Sequence, residues 1–155
     1  MSLLIKNAIV LTVDRKGTIH NPGAIFIEGK RIVDVGPSDA VAARHPNAAR
    51  IVDGRRKVVA PGFVNIHSHV GYTIFRGRSE DVGFKAPTGL YFPMSTVMTP
   101  EDRAALGALS YVELLRSGCT SVMELEEGVE VLAPFVERLG IRSAMGEMIG
   151  DADPD

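Results

Sequence analysis

Apolar and polar positions alternate irregularly from residue 4 to 13 until Asp14-Arg15-Lys16-Gly17 breaks the run, a pattern that predicts a strand ending in a turn. Two more strand-like runs, Ala24-Ile25-Phe26-Ile27-Glu28 and Arg31-Ile32-Val33-Asp34-Val35, are separated only by Gly29-Lys30. A two-residue connection with glycine first predicts a tight hairpin. Ser38 or Asp39 is placed to cap a short helix through Ala40 to Arg44, which Pro46 stops. Strand character returns in Arg50-Ile51-Val52-Asp53 and Lys57-Val58-Val59-Ala60, so residues 1–60 predict a small β-rich layer.

The pattern changes at Pro61-Gly62. A strand, Phe63-Val64-Asn65-Ile66-His67, runs into a stretch rich in Gly, Thr, Ser, Pro and Arg from about residue 70 to 98. Connections of that length are usually functional covers or disordered, and residues 72–98 are expected to form a mobile cover without a regular element. Thr99-Pro100-Glu101-Asp102 then supplies an N-cap, a first-turn proline and an acid three residues on, followed by Ala104, Leu106, Leu109, Val112, Leu114 and Leu115 at helical spacing. Gly118 ends that helix. A strand from Cys119 to Leu125, a helix over 129–139 that contains Pro134, and a strand from Ile141 to Ile149 complete the alternation. Strand, helix, strand, helix, strand predicts a parallel α/β sheet over residues 61–155.

Composition narrows the function classes. Of 155 residues 45% are hydrophobic and 23% charged, which excludes disorder and fits an aliphatic core, since Trp is absent and aromatics are 6%. Lys+Arg 17 against Asp+Glu 19 leaves no basic excess, so no nucleic-acid partner is expected, and Arg55-Arg56-Lys57 reads as the solvated turn of a hairpin. One cysteine, Cys119, fits a reducing compartment, and neither a signal sequence nor a membrane-length apolar run is evident; a cytoplasmic protein without a membrane partner is the expectation.

Candidate chemistry lies in Pro61-Gly62-Phe63-Val64-Asn65-Ile66-His67-Ser68-His69. Alternation on a strand points His67 and His69 the same way, about 7 Å apart along the backbone, which lets both imidazoles lean onto one ion. They end an apolar strand at its C-terminal end, where parallel barrels keep their chemistry. His67 and His69 are therefore the expected metal ligands, although two imidazoles alone suit zinc, iron, nickel and copper alike. His20, before Asn21-Pro22, and His45, before Pro46, are expected in solvent. Glu124 and Glu126, two apart on the next strand, are the only other carboxylates that could reach such an ion, and a structural or substrate-lining role is preferred for them. Met94, Met98, Met123, Met145 and Met148 read as core or barrel-mouth filling and Cys119 as an inert thiol.

These features resemble the N-terminal third of the metal-dependent amidohydrolase superfamily: a β-rich layer, then Pro-Gly-Phe-Val-Asn-x-His-x-His opening a barrel. Asn65, Arg76-Gly77 and Arg116-Ser117-Gly118-Cys119-Thr120-Ser121-Val122 resemble the branch of cytosine deaminase, guanine deaminase, adenosylhomocysteine deaminase and the triazine chlorohydrolases. The resemblance implies an α/β fold, a partial (β/α)8 TIM-type barrel of about three strand-helix units preceded by half of a composite β-sandwich. It implies that His67 and His69 bind a catalytic divalent ion, zinc foremost and iron second, with a later histidine and aspartate completing the site. The implied reaction is hydrolysis of a non-peptide carbon-nitrogen bond, an amine leaving a purine, pyrimidine or triazine-like small-molecule substrate.

No histidine follows His69, and at roughly 31 residues per unit only about three units fit after Val58. The chain therefore reads as a fragment or as half of a split protein that needs a C-terminal part or a complementary chain. No catalytic residue is expected within it, and alone it should lack turnover and fail to fold as a soluble monomer, because Val64, Ile66 and Val122 would form an uncovered inner face. The complete protein is expected to be a homo-oligomer. The alternative is a truncated, non-catalytic barrel piece that serves as an interaction module or has no independent function.

Overall fold

The computed structural model describes residues 1–148, and the end of the last expected strand at Ile149 lies outside them. The chain forms two compact units, Met1–Pro61 and Gly62–Asp155.

In the first unit, strands β1 (Ser2–Leu11), β2 (Ile19–Glu28) and β3 (Arg31–Pro37) form an antiparallel meander. The hairpin between β2 and β3 turns on Gly29, whose φ of +59° is strained for other residues. Helix α1 (Ser38–Arg44) follows, then β4 (Arg50–Asp53) and β5 (Val58–Val59), both parallel to β1. Arg55-Arg56-Lys57 thus lies in an exposed turn, but the turn joins two strands that pair with β1, so it is no hairpin. Leu4, Ala24, Phe26 and Val41 form one core cluster and Ala8, Val10 and Ile25 another.

Three sequence expectations fail here for tertiary reasons. Neither Ser38 nor Asp39 caps α1, because Pro37 occupies the cap position and the Ser38 hydroxyl is spent on Asn7, accepting its N–H and donating to its Oδ1, both at 3.0 Å. His45 is half-buried, stacked on Phe26 with ring centroids 3.8 Å apart and with Nε2 2.9 Å from Asp34. His20 is half-buried within β2.

The second unit opens with β6 (Phe63–Ser68), then a 3-10 segment Val70–Phe75, short helical turns at Gly83–Lys85 and Pro87–Tyr91, and α2 (Phe92–Ser95). The span expected to lack regular elements is therefore built partly of single helical turns, too short to leave a period. Helix α3 (Pro100–Arg116) begins at a capping box, with Thr99 and Asp102 each bonding the other's backbone N–H. Strand β7 (Cys119–Glu126), α4 (Val129–Leu139) and β8 (Arg142–Glu147) follow.

Strands β6, β7 and β8 form one parallel sheet in that order. Val122 is buried with Val70, Tyr111, Leu132 and Ile141 under the helices. It therefore belongs to the helix-covered face and not, as its sequence position suggested, to the face of Val64 and Ile66. Those two are 66% and 76% exposed, beside the half-exposed Met123.

Candidate functional site: the ends of the first two parallel strands

The site is built by a slip in register. Asn65 pairs with Val122 and Ser68 with Glu124, so three steps along β6 span two along β7. The extra residue falls at Ile66 and His67, both of which are exposed. Asn65 Oδ1 accepts the His67 N–H at 3.1 Å and ties down the slip. His69 leaves the strand immediately afterwards, yet the two imidazoles meet edge to face, with centroids 5.0 Å apart.

His69 is also held through its ring. Its Nδ1 lies 2.6 Å from the carbonyl oxygen of Leu125. A carbonyl can only accept, so the hydrogen sits on Nδ1 and the Nε2 lone pair is left for a ligand. Its other neighbour is aromatic: Tyr72 stacks on His69 at 5.2 Å and on Tyr91 at 4.5 Å, and Phe75 packs against both tyrosines. Beside this wall an open groove of about 460 Å³ is lined by His69, Tyr72, Arg76, Ser110 and Glu113. Arg76 and Glu113 pair across it, with Nη1 2.9 Å from Oε1.

Glu124 and Glu126 are buried, 0% and 1% exposed. The first accepts the Val70 N–H at 2.9 Å and the second the Gly71 N–H at 3.0 Å. Burial pushes both carboxyls above their ordinary range, against these hydrogen bonds and the nearby His69, which pull the other way. Arg103 Nη1 stands 3.8 Å from Glu126, while its Nη2 bonds Glu127 at 2.8 Å and the Ser95 carbonyl at 2.7 Å. One oxygen of each glutamate is thus committed to the backbone, while Glu124 Oε2 is buried without a hydrogen-bond partner. Glu126 is the last residue of β7 and not part of a following loop.

Among the described residues no group of three or more His, Cys, Asp or Glu side chains converges as a metal cage. The donor set is the imidazole pair. Its chemistry fits a divalent ion that takes further ligands from elsewhere, because one ring has its tautomer set and both stand at the open end of a parallel sheet.

Comparison with known proteins decides the family. Residues 58–151 match the amidohydrolase family, and residues 23–48 match an imidazolonepropionase-like composite domain of bacteria. The chain belongs to the amidohydrolase family. It is 31% identical over 156 residues to a 5-methylthioadenosine/S-adenosylhomocysteine deaminase of Carboxydothermus hydrogenoformans, covering 100% of this chain and 35% of that protein. It is also 31% identical over 144 residues to a 5'-deoxyadenosine deaminase of Methanococcoides burtonii, covering 92% and 32%. Among solved structures, an adenosine deaminase from Xanthomonas campestris with bound zinc superposes with a TM-score of 0.81 at 28% identity, over 91% of this chain and 32% of that one. A triazine hydrolase from Arthrobacter aurescens shares the fold, with a TM-score of 0.77 at 19% identity. The amidohydrolase resemblance carried by the histidine motif is borne out, as is the α/β class with the opening units of a TIM-type barrel after a β-rich layer. This amidohydrolase segment spans about a third of the length of the relatives it matches.

Proposed function

We propose that the chain is the N-terminal part of a metal-dependent aminohydrolase in which His67 and His69 are the first two ligands of a divalent ion, zinc ahead of iron. The observation that carries the reading is the imidazole pair, 5.0 Å apart at the end of the first parallel strand, with the Leu125 carbonyl fixing the His69 tautomer. Zinc is favoured because the adenosine deaminase neighbour was crystallised with it. The relatives' names favour an adenosine derivative as substrate over a pyrimidine or a triazine. In the overall reaction water replaces the ring amino group, which leaves as ammonia.

When bound, such an ion supplies Lewis acidity and an activated water. The residues of this chain bind, orient and shelter. His67 and His69 offer nitrogen donors, and Asn65 and Leu125 hold those donors in place. Tyr72 and Tyr91 form an apolar wall beside the donors against which a flat base can rest. Glu124 and Glu126 are buried and each bonds a backbone amide through one oxygen, so the group that takes a proton from water is assigned to the part of the protein outside this segment. Among the described residues no helix is long and apolar enough to cross a membrane. The free thiol of Cys119 suits the reducing cytoplasm, which is the setting we propose.

The test is ammonia release by the complete protein from 5'-deoxyadenosine and S-adenosylhomocysteine, compared with cytosine and a chlorotriazine. Activity on the adenosine derivatives that a chelator abolishes and zinc restores is expected. Absence of deamination of all four, or activity that survives full removal of metal, would overturn the reading.

A further inference from the structure

Three consecutive residues at the end of β7 hold three consecutive residues leaving β6. The Glu124 carboxylate accepts the Val70 N–H, the Leu125 carbonyl faces His69 Nδ1, and the Glu126 carboxylate accepts the Gly71 N–H, at 2.9, 2.6 and 3.0 Å. We propose that Glu124-Leu125-Glu126 is a positioning clamp that sets the orientation and tautomer of the His69 ring and thereby the affinity of the metal site. The inference rests on the reading of His67 and His69 as ligands.

The register explains why a clamp is needed. A regular parallel ladder would bond the amides after His69 to carbonyls of β7, but the extra residue between Asn65 and Ser68 ends regular pairing just before them. Carboxylates reach where the ladder does not. Val70 is gripped at its carbonyl too, since the Ser110 hydroxyl donates to the Val70 carbonyl at 2.7 Å. Gly71 is fitted to the arrangement: a Cβ there would lie 3.1 Å from Glu126 Oε2, closer than an ordinary contact. Burying two carboxylates is costly, and an apolar pair would fill the same space beneath the helices without that cost. The clamp accounts for their presence, because only acceptors can take the Val70 and Gly71 amides while the carbonyl between them takes the ring hydrogen. Neither glutamate touches the open face, so their action on the ion passes through the backbone and the ring.

The experiment measures zinc affinity of the complete protein by chelator competition for Gly71→Ala, Glu126→Ala and Glu126→Gln, with circular dichroism as the check on folding. Imidazole 15N chemical shifts of the metal-free wild type report the His69 tautomer. The clamp predicts a hydrogen on Nδ1 in the wild type and a loss of affinity of about tenfold to a hundredfold in Gly71→Ala and Glu126→Ala. Glu126→Gln, which keeps an acceptor, should recover most of it. Wild-type zinc affinity in folded Gly71→Ala and Glu126→Ala would overturn the clamp. Should those variants fail to fold, the wild-type tautomer decides: a hydrogen on Nε2 overturns the proposal and one on Nδ1 supports it. A His67→Ala, His69→Ala variant separates the two readings. If it keeps stoichiometric zinc, the ligand assignment itself fails; if it loses zinc while the clamp variants do not, only the clamp fails.

Discussion

His67 is exposed near the end of one strand and His69 half-buried just beyond it, whereas Glu124 and Glu126 are buried at the end of the neighbouring strand. Both are pairs of ionisable residues two apart at the C-terminal end of a parallel strand. The histidines keep a ring nitrogen uncommitted at an exposed or half-buried position; the glutamates are buried, and each spends one oxygen on the amide of Val70 or Gly71. Face and register, more than residue type, decide which pair can meet a ligand. A carboxylate already accepting a backbone N–H in a buried site cannot leave without orphaning that donor, at a cost of about 1–3 kcal/mol.

The comparison breaks most readily through stability. Replacing Glu124 by Ala orphans the Val70 N–H, and urea unfolding of the complete protein is expected to show a loss of about 1–3 kcal/mol. His67→Ala in the metal-free protein should stay within about 0.5 kcal/mol of wild type, since its ring is exposed. Equal losses at the two positions would erase the distinction between the strands.

A smaller effect follows the helix that covers the glutamates. Thr99→Ala removes half of the capping box of α3 and should cost about 1 kcal/mol in the same unfolding experiment while leaving zinc affinity unchanged. A fall in affinity would mean that the site senses the helix as a whole and not the strand ends.

Titration sharpens the contrast by sign. Asp34 in the first unit is held below the usual carboxylate range, chiefly by its hydrogen bonds from Arg44, so its stabilisation is present above the unfolded-state pKa and is lost as pH falls through the lower folded value. Glu124 and Glu126 are raised by burial. The folded state there binds more protons than the unfolded one between the two pKa values, so their contribution weakens as pH rises through that window. Unfolding followed from neutral pH into the carboxylate range should show Asp34→Asn flattening the acid loss, and Glu124→Gln removing a trend of opposite slope. The same slope from both variants would contradict the assigned environments.

Much of the fold was legible because local rules and tertiary packing agree. Gly29 marks the β2–β3 hairpin, and Thr99-Pro100 with Asp102 marks the start of α3. The turns between residues 70 and 98 were not legible, since single helical turns carry no periodicity, and His45 was misjudged because stacking on Phe26 is a tertiary event. At the site, the pairing of His67 with His69 could be foreseen from alternation, but for an incomplete reason. The residue inserted between Asn65 and Ser68 interrupts the alternation within the histidine motif, which no two-residue period contains. The clamp depends on that slip, so the sequence shows the glutamates' spacing and hides their partners.

The central claim is that the histidine pair, and not the buried glutamate pair, holds the ion. Metal content of the purified complete protein, measured by elemental analysis beside a His67→Ala, His69→Ala variant, tests it most directly. The account predicts about one divalent ion per chain in the wild type, and loss of that ion from the double variant with its circular dichroism spectrum preserved. A folded double variant that retains stoichiometric metal would contradict it.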